Sequence, residues 1–433
     1  MITTIRKPDK LMLPIIASTI PIKNKMYILS PLCITQDVEG GTLYFSTLTN
    51  EIIFSDKELT EYTDKEFRTL VSHQFLVPVG FALIKYTEDI RKRLIKLEHP
   101  NYKAYTILPT LDCNAHCFYC FENGRARHKM SKETAEDVAK YILDTSDDKN
   151  ISISWFGGEP LYNMDAIEII TKALTDAGRT FNASMVTNGF LFTPALARKA
   201  KTEWHINKVQ ITLDGTKEVY NKVKAYDGKP ENAYERVINN ILSLIANQIE
   251  VAIRLNLTVD NKDDILQLIE ELNQILPRNK FIGVYSHLIF DTDTMKITDD
   301  SDTQQAAIEE VEAKLEEYHF FRKANINKQM SIFSCKAAND NSVMILPDGV
   351  LGKCEHHTED DFVGSIYTGV TNDEIVESWK HHYICKDCYK CPLYAKCDYL
   401  KRCSDAHCSQ RAIEYKIQGF KQEILNLYNT QQG

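Results

Sequence analysis

The pattern of hydrophobic and polar positions changes from one part of this chain to the next. Between about residues 104 and 290, short apolar runs of strand length alternate with longer segments whose apolar residues recur at helical spacing. The predicted strands are Tyr105–Leu108, Ile151–Phe156, Ser184–Thr187, Val209–Leu213, Val251–Thr258 and Val284–Ile289. Six such strand–helix units predict an α/β fold with a partial (β/α)6 barrel of the TIM type, whose functional residues lie at the carboxyl ends of the strands.

The helices expected between these strands carry the start and stop signals of amphipathic surface helices. Ser131 is placed as the N-cap of the first of them. The predicted helices are Ser131–Leu143, Met164–Ala177, Pro194–Thr202, Tyr234–Asn247 and Asp263–Leu276.

The regions before and after this strand–helix alternation predict other kinds of structure. Residues 1–100 predict a small α+β module with a strand, a hairpin and a helix. These elements are expected over Met26–Leu32, over Gly41–Phe45 with Glu51–Phe54, and over Asp64–Gln74. After the barrel at 101–295, residues 296–330 predict a charged helical linker, and residues 331–433 predict a cysteine-rich domain.

Charge and cysteine content narrow the classes of protein. The 433-residue chain carries a formal net charge of −9, which argues against nucleic-acid binding because that needs a basic surface. Of its 12 cysteines, all but Cys33 fall in two clusters, at 113–120 and 335–408. Clustered cysteines in a reducing compartment bind metal more often than they form disulfides. Cys33, which stands alone, is predicted to be a buried core thiol.

The N-terminal segment resembles a signal peptide only superficially. Basic residues precede the apolar stretch Leu11–Ile22, but Pro14 and Pro21 interrupt that stretch. No apolar run in the sequence approaches the roughly 20 residues that span a bilayer. We therefore expect a cytoplasmic protein that has no membrane partner.

The first cysteine cluster has the spacing Cys-x3-Cys-x2-Cys, formed by Cys113, Cys117 and Cys120. Three thiolates can hold a [4Fe–4S] cluster while leaving one iron open for a small molecule. A structural zinc site would close its coordination with a fourth ligand. A zinc knuckle or three buried free cysteines are the alternatives.

This cysteine motif, with the aromatic Tyr119 before its last cysteine, resembles that of the radical SAM enzymes. The resemblance implies that the open iron binds S-adenosylmethionine (SAM) through its amino and carboxylate groups. It also implies that one electron cleaves the sulfonium of SAM to give a 5′-deoxyadenosyl radical. Phe121 and Glu122, which directly follow the motif, are assigned only packing and solvation.

Four further segments at strand ends resemble the SAM-binding segments of that family. Two glycines allow close backbone approach at Gly157–Pro160, and the Glu159 carboxylate can pair with an ammonium. In the family this string binds the methionine amino group, and Thr212 stands where a serine often contacts the cofactor carboxylate. The resemblance predicts these SAM-binding residues: Gly157, Gly158, Glu159, Pro160, Asn188, Thr212, Asp214, Arg254 and Asn256.

Two of these segments have a plainer interpretation, and one stretch of the chain departs from the family. Asn188-Gly189 could form only a turn, and Arg254 could form a surface salt bridge, although strand alternation places Arg254 and Asn256 on one face. The family often carries an arginine after the Asp-Gly pair, where Tyr220–Lys224 stands here. Lysine cannot reproduce the bidentate fork of arginine with a carboxylate.

The second cysteine cluster resembles the SPASM domain, whose seven cysteines bind two auxiliary [4Fe–4S] clusters in peptide and protein maturases. The resemblance assigns one cluster to Cys335, Cys354 and Cys403, with the surplus Cys385 as fourth ligand. It assigns the other cluster to Cys388, Cys391, Cys397 and Cys408. The chain departs from the family in the interval between Cys397 and Cys403, which holds five residues instead of three. Structural zinc is the alternative for the Cys-x2-Cys pair.

Taken together, the resemblance implies a radical SAM/SPASM maturase with SAM and three [4Fe–4S] clusters as cofactors. Its substrate would be a ribosomally made precursor peptide, which it would crosslink through carbon–carbon, ether or thioether bonds. Flavodoxin or ferredoxin would donate electrons, and the N-terminal module would hold a leader peptide or simply cap the barrel. Glu355 would take a proton from the substrate, as an aspartate does in the anaerobic sulfatase maturases, or hydrogen bond near the cluster. A sulfatase maturase and a non-catalytic iron–sulfur carrier or sensor are the rival functions.

Overall fold

The chain forms two compact units in the computed structural model. The model describes residues 1–9, 12, 26–98, 103–122, 126–147, 151–289, 301–320, 335–356, 359–381, 384, 387–397 and 410–432. The barrel unit comprises Asn101–Arg322 and Lys336–His381, and the flanking unit comprises Met1–Pro100, Lys323–Cys335 and His382–Gly433. The region 331–433 therefore contributes to both units, and the domain boundaries expected at 100, 295 and 330 remain predictions.

Six parallel strands in consecutive order form the centre of the barrel unit. They are β1 (Lys103–Ile107), β2 (Ile151–Trp155), β3 (Phe181–Thr187), β4 (Ile206–Leu213), β5 (Glu250–Leu257) and β6 (Ile282–Leu288). Each strand pairs in parallel with the next one along the chain. This is the order of a (β/α) barrel, and it brings all six carboxyl ends to one edge of the sheet.

Amphipathic helices connect these strands and pack on the sheet. They are α1 (Lys132–Thr145), α2 (Met164–Asp176), α3 (Pro194–Thr202), α4 (Lys217–Lys224), α5 (Ala233–Ala246) and α6 (Lys262–Ile275), followed by α7 (Ser301–Glu317). Ser131 caps α1 as predicted, since its side chain accepts a hydrogen bond from the Thr134 amide. The sequence did not predict α4, which is short and buries only Tyr220 and Lys224. Among the described helices, none is long and apolar enough to cross a membrane.

A later part of the chain extends the same sheet. Strand β7 (Ser342–Ile345) pairs in parallel with β1, and β8 (Val350–Gly352) pairs antiparallel with β7. The sequence did not predict this extension, because two strands of four and three residues carry too little periodicity. As a result, Cys354 and Glu355 follow a strand of the barrel unit.

The flanking unit contains the predicted N-terminal hairpin and helix together with elements that the sequence did not predict. Strands Gly41–Ser46 and Ile52–Ser55 form the hairpin, and the helix runs over Asp64–Ser72. Two unpredicted strands, Ile2–Arg6 and Cys33–Val38, complete a four-stranded antiparallel sheet. The predicted strand near Met26 is shorter than expected, Tyr27–Leu29, and pairs with Leu76–Pro78. Helix Leu83–Glu98 follows.

A C-terminal helix packs on this four-stranded sheet. It runs over Gln410–Gln432, and the ring of Phe420 stacks on Phe45 at 5.6 Å between centroids. Phe54 and Tyr428 stack at 5.9 Å in the same way. The N-terminal module therefore shares its hydrophobic core with the last helix of the chain.

Candidate functional site

The three cysteines of the first cluster lie in the loop that follows β1, and they line one cavity of the barrel unit. Cys113, Cys117 and Cys120 are all partly exposed and carry no disulfide. The cavity has a volume of about 450 Å³ and is lined at the strand ends by residues from β3, β4, β5 and β6. Six of the nine predicted SAM-binding residues line this cavity: Gly157, Gly158, Asn188, Thr212, Arg254 and Asn256. Glu159 and Asp214 each form a hydrogen bond with a lining residue. Pro160 does neither and starts a buried turn beside Glu159.

The three thiols provide the donor set of a cluster that keeps one iron open. A [4Fe–4S] cube takes one thiolate on each of three irons and leaves the fourth for a small molecule. Among the described residues, no three Cys, His, Asp or Glu side chains converge closely enough to hold one ion. Burial raises the pKa of Cys113 to about 12, and the nearby Glu159 carboxylate adds to the shift. Metal binding deprotonates such a thiol.

Close backbone approach holds the cysteine loop against the end of β2. A Cβ on Gly157 would lie 2.3 Å from the Thr110 carbonyl oxygen, and one on Gly158 would lie 2.3 Å from that of Asp112. Gly157 also has φ of +117°, a conformation that favours glycine. The Gly158 amide donates to Thr110 O at 3.1 Å, and the Glu159 amide donates to Asp112 O at 2.9 Å. The two glycines are therefore required by contact with the cysteine loop itself.

The Glu159 side chain is fully buried and links the ends of β2 and β3. Its carboxylate accepts hydrogen bonds from Thr187 Oγ1 at 2.8 Å and from the main-chain amides of Asn188 at 2.8 Å and Leu161 at 3.1 Å. Burial raises the pKa of Glu159 to about 6, although these hydrogen bonds oppose the shift. The sequence predicted a carboxylate that pairs with a ligand ammonium, whereas most of its acceptor capacity here serves the protein.

Asn188 extends the same link to the cysteine loop. Its Nδ2 donates to Asn114 Oδ1 at 2.8 Å and lies 3.8 Å from Cys113 Sγ. The Asp227 amide donates to Asn114 O at 3.0 Å, and the His116 amide donates to Lys224 O at 2.8 Å. The segment after β3 and the segment at the end of α4 therefore both hold the cysteine loop in position.

The Asp214 carboxylate is the centre of a buried polar network at the end of β4. Lys224 Nζ lies 3.0 Å from Asp214 Oδ2, and both side chains are only 2% exposed. Tyr119 Oη donates to Asp214 Oδ1 at 2.6 Å, and Asn256 Nδ2 donates to the same atom at 2.8 Å. Burial alone lowers the pKa of Lys224, but Asp214 more than offsets it, so the pKa lies well above its usual value. The network ties the aromatic residue of the cysteine motif to β4 and β5.

Arg254 and Asn256 lie on one face of β5, as strand alternation predicts, and both line the cavity. Arg254 Nε donates to Asn256 Oδ1 at 3.0 Å, and Nη2 lies 3.1 Å from His287 Nδ1 on β6. The predicted alternative of a surface salt bridge is wrong, because among the described residues no carboxylate forms an ion pair with Arg254. Burial lowers the pKa of Arg254.

Residues near Cys354 also line the cavity. Glu355 and His356 follow Cys354, and the His356 ring lies 4.3 Å from that of Phe121. Phe121 in turn stacks on Phe156 at 6.0 Å. The sequence assigned Phe121 only packing and solvation, and the position directly after Cys120 was the one available signal. His357 lies outside the described residues.

The described cysteines of the second cluster otherwise belong to the flanking unit. Cys388 begins one 3-10 turn, and Cys397 directly follows a second turn, Tyr394–Lys396. Arg91 Nη2 donates to Tyr394 O at 2.8 Å, which joins this segment to the N-terminal module. The remaining predicted ligands are described in part: Cys335 and Cys391 are partly exposed, whereas Cys385, Cys403 and Cys408 lie outside the described residues.

The sequence matches a known family over the parallel strands. Residues 107–272 match the family model described as the Radical SAM superfamily, so the chain carries a radical SAM domain. Over 186 residues it is 27% identical to the radical SAM cyclopropyl synthase TigE of Paramaledivibacter caminithermalis, covering 36% of this chain and 39% of that protein. Over 195 residues it is 31% identical to a probable GTP 3′,8-cyclase of Methanocaldococcus jannaschii, covering 43% and 61%. The chain thus spans less than two thirds of either relative.

Solved structures share the fold at low sequence identity. The structure of native anSMEcpe with bound AdoMet matches with a TM-score of 0.56 and 16% identity, covering 76% of this chain and 99% of that chain. A structure of anSMEcpe with bound AdoMet and Kp18Cys peptide matches with a TM-score of 0.56, 15% identity and the same coverage. At such identities the likeness establishes the fold alone. It confirms the partial barrel with flanking regions that the sequence predicted.

The close approach at Gly158 generates a first prediction. Gly158→Ala places a methyl group against the Asp112 carbonyl, so the cysteine loop must shift, and the chain should bind about four fewer irons. Iron per chain after anaerobic reconstitution is the measurement. Gly283→Ala is the matched control, because a Cβ there meets nothing within 4 Å. Full iron loading of Gly158→Ala would contradict this account of the glycine.

The buried carboxylate generates a second prediction, about pH. Because the folded pKa of Glu159 is raised to about 6 from 4.5, its contribution to stability is present below pH 4.5 and is lost as the pH rises through 6. Glu159→Gln removes this dependence. Its stability relative to the wild type should therefore rise by about 1 kcal/mol between pH 5 and pH 8. Denaturant titrations at both pH values test this, and a constant difference would refute it.

Proposed function

We propose that this protein is a radical SAM enzyme that crosslinks a ribosomally made precursor peptide. The observation that carries the proposal is the single cavity where Cys113, Cys117 and Cys120 face the ends of four parallel strands. When bound there, a [4Fe–4S] cluster and SAM would supply the radical chemistry that removes a hydrogen atom from the substrate. The two auxiliary clusters, at the cysteines from Cys335 to Cys408, would receive the electron that the crosslink releases.

The residues of the chain would divide the work of holding SAM beside the cluster. Gly157 and Gly158 expose main chain to the cavity, and this edge would bind the methionine amino group. Thr212 and Asn256 bring polar atoms to the same space from β4 and β5. Asn188 lies beside Cys113 and would fix the cluster loop more than it contacts SAM. Asp214 and Lys224 would act through Tyr119, Thr212 and Asn256 rather than touch the ligand.

A peptide substrate is supported by the composition of the chain around the radical SAM domain. The cysteines after residue 335 resemble those of peptide and protein maturases, and anSMEcpe has been solved with a bound peptide. The N-terminal module forms a sheet of its own that would hold a leader segment. A reduced flavodoxin or ferredoxin would supply the electron that starts each cycle.

Glu355 would accept the proton that the substrate loses. It lines the cavity together with His356, next to the predicted cluster ligand Cys354. The same position would also allow a hydrogen bond in the surroundings of an auxiliary cluster. The sulfatase maturases use an aspartate for the proton, so the longer Glu355 would reach farther into the cavity.

Iron content and SAM cleavage test the cofactor part of the proposal. With SAM and dithionite under anaerobic conditions, the wild type should bind about twelve irons per chain and form 5′-deoxyadenosine. Replacing Cys113, Cys117 and Cys120 by alanine should remove about four irons and all of the product. Cys33→Ala, a change outside both clusters, should keep both. A wild type that forms no 5′-deoxyadenosine would refute the enzymatic proposal.

Mass spectrometry of a co-expressed precursor tests the substrate part. The short reading frame nearest to the gene is expressed with the enzyme, and its product should lose two hydrogens per crosslink and resist fragmentation between the joined residues. A hydrazide reagent distinguishes the rival, because formylglycine carries an aldehyde and a crosslink does not. An unchanged precursor mass together with an aldehyde in a sulfatase peptide would replace peptide crosslinking by sulfatase maturation.

A further inference from the structure

In the part of the chain that the structure describes, three lysine or arginine side chains line the candidate SAM cavity, Lys224, Arg254 and Lys336. Lys336 is exposed and directly follows the predicted cluster ligand Cys335. The other two belong to the parallel strands and their helices, and they differ in what they already bind. Lys224 comes from the end of α4, and Arg254 comes from β5. Both line the cavity. An amino acid ligand such as the methionine part of SAM needs a partner for its carboxylate, so the donors that remain on each cation decide which one can supply it.

The ammonium of Lys224 is already engaged by groups of the protein. Nζ donates to Thr212 Oγ1 at 2.6 Å and to Tyr119 Oη at 3.2 Å. It also forms an ion pair with Asp214 Oδ2 at 3.0 Å. Its charge is balanced by Asp214, and both side chains are buried. A ligand carboxylate at Lys224 would have to displace a partner and repel Asp214.

The guanidinium of Arg254, in contrast, keeps hydrogen-bond donors that the described part of the protein does not use. It has five N–H groups, and the Nε group is used by Asn256 Oδ1 at 3.0 Å. Nη2 lies 3.1 Å from His287 Nδ1, but that nitrogen also lies 2.7 Å from the Leu288 carbonyl oxygen. In either tautomer, His287 engages at most one of the four Nη N–H groups. Among the described residues, no carboxylate forms an ion pair with Arg254, so its Nη groups keep donors for a ligand in the cavity.

We propose that Arg254 receives the carboxylate of the methionine part of SAM, and that Lys224 only positions Thr212, Tyr119 and Asp214. This proposal rests on the SAM-binding part of the proposed function. A planar guanidinium matches a carboxylate with two parallel hydrogen bonds, and a partly buried cation gains most from such a partner. The carboxylate contact thus lies on β5 in this chain, not at the lysine that stands where the family often has arginine.

The test compares SAM with decarboxylated SAM, which lacks only the carboxylate. Affinities of the iron-loaded protein for both ligands are measured by equilibrium dialysis without reductant, so no turnover is needed. In Arg254→Ala, the ratio of the two affinities should fall by about 10- to 100-fold through weaker SAM binding. Any contribution of the cluster iron to carboxylate binding cancels in this comparison. Arg254→Lys should restore part of the ratio, because lysine keeps the charge and loses the fork.

Arg198→Ala is the matched control, since Arg198 is exposed on α3 and remote from the cavity lining. It should keep the wild-type ratio, and iron content verifies that each variant is loaded. An unchanged ratio in Arg254→Ala would overturn the proposal. So would an equal loss of affinity for both ligands, which would mean a structural role. Failure of the wild type to bind SAM would instead refute the proposed function.

Discussion

The architecture of the site depends on one close approach of main chain to main chain. Gly157 and Gly158 at the end of β2 touch the carbonyl groups of Thr110 and Asp112, which lead into the cysteine loop. No side chain fits between these segments, and the amides on one side bond the carbonyls on the other. Because β1 and β2 are parallel neighbours, their carboxyl ends meet at the same edge. The sheet therefore positions the segment that leads into the cysteine loop.

Buried polar groups complete this positioning from the other strands. Glu159 joins β2 to β3, and Asp214 joins Tyr119, Lys224 and Asn256. Removing one partner of a buried ion pair typically costs about 3–5 kcal/mol, because the other charge loses its compensation. The two cations at this edge differ in their partners. Lys224 is ion-paired with Asp214, whereas among the described residues no carboxylate pairs with Arg254 on β5.

The described cysteines of the second cluster are divided between the two compact units. Cys354 follows β8, an extension of the barrel sheet, and His356 contacts the ring of Phe121 beside Cys120. Cys388 and Cys397 instead border turns that share a core with the N-terminal module and helix Leu83–Glu98. The N-terminal module is therefore not an isolated cap, because part of its packing is supplied by a cysteine-bearing segment.

Local pattern in the sequence determined the six strands, most of their helices and the cysteines that could hold a cluster. Periodicity and the Cys-x3-Cys-x2-Cys spacing depend only on residues close in the chain. The carboxyl ends of the six strands were predicted to within one residue, whereas their starts differ by up to three. The extra strand β7, the short helix α4 and the C-terminal helix on the N-terminal sheet depend on partners far away in sequence. The same holds for the site. The sequence pointed to Lys224 and Arg254 as basic residues near the predicted SAM site. Only the tertiary structure shows which charge is already paired, because Asp214 and Tyr119 contact Lys224 from other parts of the chain.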